Sequence, residues 1–159
     1  MVIFALCLTA LVLTAVLLGI QLFGQVAFNP ALRAVDATIY IQIKQSFDIT
    51  APRIAKPVML LCLAAALATL VTAVVSSSMM VTGASALSLT ALVIALLAVV
   101  RGDLPINQTM ANWSAEEPPE NWRAVRTSWE RFFALRTGAS CLALLATVVA
   151  VLASATELS

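Results

Sequence analysis

Histidine is absent from this chain, and charge is scarce: Asp, Glu, Lys and Arg make up 11% of the residues, against 62% hydrophobic ones. Soluble domains carry about a quarter charged residues and under half apolar ones, so a soluble domain is excluded. Without histidine there is no His-held haem, no 2-His-1-carboxylate iron centre and no His-based copper site. A transition metal would have carboxylates alone, and neither a metal site nor a cofactor is expected. The cysteines, Cys7, Cys62 and Cys141, stand singly in three separate apolar stretches with no CxxC pair. That pattern supports neither zinc nor dithiol chemistry, and they read as small packing residues. A net charge of +1 with no dense basic stripe gives no footprint for nucleic acid.

What remains is apolar chain in long runs. Charge is missing from residues 1–32, 57–100 and 137–156. A helix crossing a bilayer needs about 20 apolar residues. The outer runs hold one span each and the middle run holds two, near 3–24, 58–78, 84–100 and 133–155. No Lys or Arg precedes the first run, and its length exceeds a signal-peptide core, so it reads as a span. The result expected is an all-α membrane protein, a single four-transmembrane-helix bundle over 1–159.

All nine Lys and Arg fall in two places. Arg33, Lys44, Arg53 and Lys56 lie between spans one and two; Arg101, Arg123, Arg126, Arg131 and Arg136 lie between spans three and four. Cationic loops stay in the cytoplasm. Both termini are therefore expected outside, with residues 25–57 and 101–132 in the cytoplasm, in a bacterial cell membrane.

Polar residues mark the inner surface of these spans. Gln21 and Gln25 are one helical turn apart near the end of span one and share a face. At that depth polar side chains turn toward the bundle interior, either as interhelical glue or as the lining of a cavity. Pro30 then lacks a backbone donor and should break or kink the chain. Val35, Ile39, Ile43 and Phe47 recur every fourth residue and predict an additional helix after span one, either in the membrane interface or across the cytoplasmic mouth. After span three, Pro105 suits the first turn of a short helix. Asp103 or the backbone before it is then the expected cap, and Asn107 points into the mouth toward a ligand or the Arg stripe. The segment "SAEEPPE" reads as a solvated loop. From Asn121 to Gly138 no Gly or Pro interrupts the chain, so the fourth helix should extend well beyond the bilayer. Trp122, Arg126, Trp129, Phe133 and Arg136 form one stripe along it, and Glu130 stands a turn from Arg126. Arg136 lies past Phe132 and Phe133, where an ionisable group marks a site by default.

These features resemble the small four-span membrane proteins related to the anthrone oxygenases of aromatic polyketide pathways. Members carry an Asn-x-Pro-x-Asn step after span three, and a Trp ahead of an Asn/His pair and an Arg-Thr where span four begins. Here "DLPIN" matches through Pro105 and Asn107, with Asp103 in place of the first Asn. "WERFFALRT" matches through Trp129, Arg136 and Thr137, with Phe133 and Ala134 where the family has its polar pair. "NPALRAVDATIYIQIKQSFDITAP" looks like the family's first cytoplasmic segment. The resemblance implies binding or metal-free oxygenation of a lipophilic aromatic, anthrone- or quinol-like, at the cytoplasmic mouth. It needs a base, donors for an oxyanion and a dry pocket. Arg136 and Arg126 would hold the oxyanion, with Asn107 donating to it. Asp103 or Glu130 would be the base, Trp129 and Phe133 would stack on the rings, and Gln21 and Gln25 would line the cavity. The competing reading is a non-catalytic subunit or scaffold that packs on a membrane partner, on lipid or on further copies of itself. A transporter would show a buried charge or a broken helix near the midplane, and the sequence displays neither.

Overall fold

In the computed structural model, residues 1–157 are described; the last two positions of the expected domain lie outside the described residues. Among the described residues every regular element is helical: α1 (Val2–Phe23), α2 (Asn29–Arg33), α3 (Ala37–Thr50), α4 (Pro52–Val75), α5 (Met79–Ala98), α6 (Leu104–Ala111) and α7 (Trp122–Thr156). Two single π-helical turns, Gly24–Phe28 and Val99–Asp103, join α1 to α2 and α5 to α6. Four continuous helices are long and apolar enough to cross a membrane: Val2–Arg33, Pro52–Val75, Met79–Ala111 and Trp122–Thr156. The protein is an all-α four-helix membrane bundle.

The bundle is inside-out relative to a soluble one. Its large aliphatic side chains face outward, as at Val12, Leu60, Leu145 and Leu152, while Ala66, Ala73, Ala91, Ala95, Ala143 and Ala150 are buried. In lipid, helices gain nothing from hiding Leu, and small residues let backbones approach closely. Around the ring the packed neighbours are α1 and α4, α4 and α5, α5 and α7, α7 and α1. α7 has 35 residues, which at 1.5 Å per residue gives about 50 Å, well beyond a hydrocarbon core of about 30 Å.

Several local expectations are revised. Pro30 does not break its helix, and Pro105, in the first turn of α6 as expected, continues the helix before it. Each follows a π turn whose closing N–H reaches five residues back, from Asn29 to the Gly24 carbonyl and from Leu104 to the Val99 carbonyl. The widened turn makes room for a ring that would otherwise strike the preceding carbonyl. The helices that carry spans one and three therefore run on to Arg33 and Ala111. The polar turn between spans two and three is confined to Ser76–Ser78, where Ser77 has φ 55°; Thr82 and Gly83 lie inside α5. Asp103 is not a cap: its backbone is helical and its side chain caps nothing.

Candidate functional site

The two π turns set the geometry at the charged end of the bundle, opposite the chain termini. Each carries a glycine on which a phenylalanine ring of α7 rests: Phe133 on Gly24 and Phe132 on Gly102. A Cβ would come within 2.5 Å of the Phe133 ring at Gly24 and within 2.1 Å of the Phe132 ring at Gly102, so this approach relies on glycine. The extra residue in the second π turn rotates the next position inward, and Asp103 is left only 2% exposed. There it forms an ion pair with Arg136 of α7. Asp103 Oδ2 takes this contact, and its second oxygen, Oδ1, has no hydrogen-bond partner.

α3 closes over this end. Asp36 caps it by accepting from the Ile39 N–H at 2.9 Å, as a first-turn aspartate should. Its inward face differs from the one that periodicity suggested. Ile39 and Ile43 point outward, and Tyr40, Ile41 and Lys44 are buried. The apolar stripe thus faces outward, while the buried face of α3 covers the mouth, one of the two expected positions. Gln45 ties α3 down by donating to the carbonyls of Met110 at 2.9 Å and Trp113 at 3.0 Å. The first carbonyl is in the last turn of α6, where it also accepts from the Trp113 N–H at 3.2 Å, and the second lies just past that helix.

Lys44 is completely buried. Its ammonium donates to Asn107 Oδ1 at 2.8 Å and to both oxygens of Asp48, one turn further along α3. It also sits 4.3 Å from the centre of the Trp129 ring. Arg136 lies 4.1 Å over Phe133 in the same way, and the two rings are 5.1 Å apart. Each cation is thus held on an aromatic face and against a carboxylate, which offsets part of the cost of leaving water. Burial lowers the Lys44 amine below the usual lysine range, with Asp48 opposing the shift. Burial likewise raises Asp48, with Lys44 opposing. Tyr40 is pushed up, chiefly by burial; its hydroxyl is 4.0 Å from Met110 Sδ.

Of the residues singled out in the sequence, the structure brings together Asp103, Asn107, Trp129, Phe133 and Arg136. Asn107 meets Lys44 rather than the Arg stripe. Glu130 and Arg126 form a separate cluster. Glu130 takes a forked contact from Arg33 at 2.6–3.2 Å, and Arg126 approaches it at 3.9 Å while covering the rings of Trp122 and Tyr40. Gln21 is buried with its carbonyl oxygen unpartnered, and Gln25 accepts from Asn29 at 3.4 Å; neither is bonded to the buried charges. Among the described residues no three His, Cys, Asp or Glu converge on a point. Sequence reasoning missed Lys44 and Asp48 as site residues, although Tyr40, Lys44 and Asp48 step by four along the face opposite the isoleucines.

Three buried polar atoms in this cluster have no hydrogen-bond partner: Asp103 Oδ1, Arg136 Nε and Trp129 Nε1. One is an acceptor and two are donors, all beside a pair of aromatic rings. The chain matches no family model, no curated protein and no solved structure.

Proposed function

We propose that this protein binds a flat, lipophilic aromatic molecule bearing an oxygen acceptor beside an acidic hydrogen. The site is the charged end of the bundle, and by the distribution of Lys and Arg that end faces the cytoplasm. The observation that carries the reading is the unpartnered trio. Arg136 Nε and Trp129 Nε1 are placed to donate to the ligand oxygen, Asp103 to accept its acidic hydrogen, and Trp129 with Phe133 to face its rings. Buried polar groups are rarely left unsatisfied, and a carbonyl next to an acidic C–H or O–H satisfies all three. For an anthrone-like ligand the same groups support oxygenation. Asp103 takes a proton from the ring CH₂, and Arg136 steadies the resulting anion. O₂, the oxidant, gives one oxygen atom to the carbonyl that replaces the CH₂, and its other atom leaves as water with the two CH₂ hydrogens. Asp103 is the better placed base, since Glu130 is engaged by Arg33.

The competing reading, a non-catalytic subunit or scaffold with a membrane partner or further copies of itself, draws on the completeness of the two ion pairs without any ligand. Purification in mild detergent separates the two. An aromatic molecule that co-purifies supports the first; a stoichiometric protein partner supports the second. Added 1,8-dihydroxyanthrone, kept under argon, should quench tryptophan fluorescence saturably and give the quinone when O₂ is admitted. Asp103→Asn should retain binding and lose turnover. Absence of saturable quenching by the intact protein would reject the ligand-binding reading. Reporters fused at the C-terminus and near Glu117 should report opposite compartments; a shared compartment defeats the orientation.

A further inference from the structure

The site contains two cations and two carboxylates: Lys44, Arg136, Asp48 and Asp103. Each lies within electrostatic reach of the others. Their charges sum to zero, so an anionic ligand could enter only by adding a net charge to a buried space, which is costly. A neutral acid could enter without that cost, provided its proton moved to a carboxylate already present. Transfer of the ligand proton to an Asp103 oxygen leaves the bonding electron pair on the ligand. The negative charge is then relocated rather than added, and Arg136, released from Asp103, becomes available to it.

One guanidinium would then face the new anion alone unless the second cation also turns toward it. Lys44 is placed to do so. Of its three acceptor contacts, two go to the same carboxylate, Asp48, and one to Asn107. A single contact suffices to retain Asp48, which leaves one N–H to spare. Its ammonium sits over Trp129, as Arg136 sits over Phe133, so the two cations flank the same pair of rings. Lysine suits this exchange, because a compact ammonium on a rotatable stem changes partners more readily than a planar guanidinium.

We propose that Lys44 is the second cation of the ligand site, which gives one of its Asp48 contacts to the ligand oxygen once Asp103 has taken up the ligand proton. The inference rests on the binding reading above and adds to it a residue from α3, outside the spans and outside the motifs after span three. The groups facing Lys44 are Asp48 on its own helix, Asp103 from the π turn before α6, Asn107 from α6, and Arg136 and Trp129 from α7. Titration of the bound ligand is set by these together.

The test reads ionisation of bound 1,8-dihydroxyanthrone under argon, from the long-wavelength absorption of its anion, as pH is varied in nanodiscs. Lys44→Met with Asp48→Asn removes the cation without stranding a carboxylate. It should bind the neutral probe but require about tenfold lower proton concentration to ionise it, equivalent to one pKa unit. Asp48→Asn alone frees Lys44 and should move the titration the opposite way, and it decides the matter if the double variant does not fold. Wild-type titration in the folded double variant, or no movement with Asp48→Asn, overturns the role of Lys44 while leaving the site standing. Failure of the wild-type protein to bind the probe overturns both. A purely structural Lys44 would change the melting temperature and leave the probe titration where it was.

Discussion

Two buried polar regions of this bundle solve the same problem in opposite ways. In the half nearer the termini, Thr69, Ser85, Ser88 and Thr147 surround a gap of about 10 Å³, at the lower limit for a single water. Threonines in this half turn back on their own helices: Thr14 donates to the Ala10 carbonyl at 2.7 Å, Thr69 to Ala65 at 2.8 Å and Thr147 to Ala143 at 2.8 Å. A cross-helix bond joins Ser88 and Thr147 at 2.9 Å. At the other end, Lys44, Asp103 and Arg136 meet partners across helices or lie on aromatic faces, and Asp48 is held by Lys44 one turn away on α3. A hydroxyl can be satisfied by the helix that carries it, whereas a buried charge needs an opposite charge or polar partners. Hydroxyls can therefore serve as interchangeable packing, while buried charges commit the tertiary structure to one arrangement. That commitment is why the second region is the one we propose as the site.

The contrast is broken most severely at Arg136. Arg136→Met strands Asp103 in the interior, and removing one partner of a buried pair costs about 3–5 kcal/mol. SDS unfolding in mixed micelles should show this loss, and Arg136→Met with Asp103→Asn should recover most of it. Stability equal to wild type in the single variant would mean that the charges do not hold the fold. The geometry thus places a structural pair under any ligand role of Arg136, and the functional readout belongs in Arg136→Lys.

Asn107→Ala comes next. It takes an acceptor from a buried ammonium, and bonds of that kind contribute about 1.5–3 kcal/mol. The same unfolding assay should detect it, with Asn107→Asp a milder change because it keeps an acceptor. An indistinguishable Asn107→Ala would show that Asp48 alone satisfies Lys44.

Glycines separate the two regions as well. A Cβ at Gly102 meets the Phe132 ring, while one at Gly83 in α5 meets nothing. Gly102→Ala should cost about 1–3 kcal/mol through overpacking and be relieved by Phe132→Ala. Gly83→Ala, at a helical site with open space, should raise stability by about 0.4–1 kcal/mol. Equal effects at the two glycines would remove the close approach from the account. The smallest expected change is Thr147→Val, which loses one interhelical hydroxyl bond worth about 0.6 kcal/mol in a membrane bundle. A loss as large as that of Asn107→Ala would erase the distinction between the two halves.

The sequence by itself determined the class of fold, the number of spans and the inward stripe of α7. Hydropathy and helical periodicity are local quantities, and lipid permits few ways to satisfy a backbone. Trp129, Phe133 and Arg136 were legible because they share one face of one helix, and Asp103 because it lies beside a motif. Lys44 was not, because in the sequence it reads only as one more cation of a cytoplasmic loop; its burial depends on α3 folding back over α6 and α7. Glu130 was assigned to Arg126, four residues away, but its stronger partner, Arg33, lies 97 residues distant. The π turns were hidden as well. Whether a proline breaks a helix or is absorbed by a wider turn depends on what packs against that turn, and here the packing is supplied by Phe132 and Phe133 on Gly102 and Gly24. Tertiary structure alone decided which charges are buried and with whom they pair, because that choice rests on contacts between helices far apart in the chain.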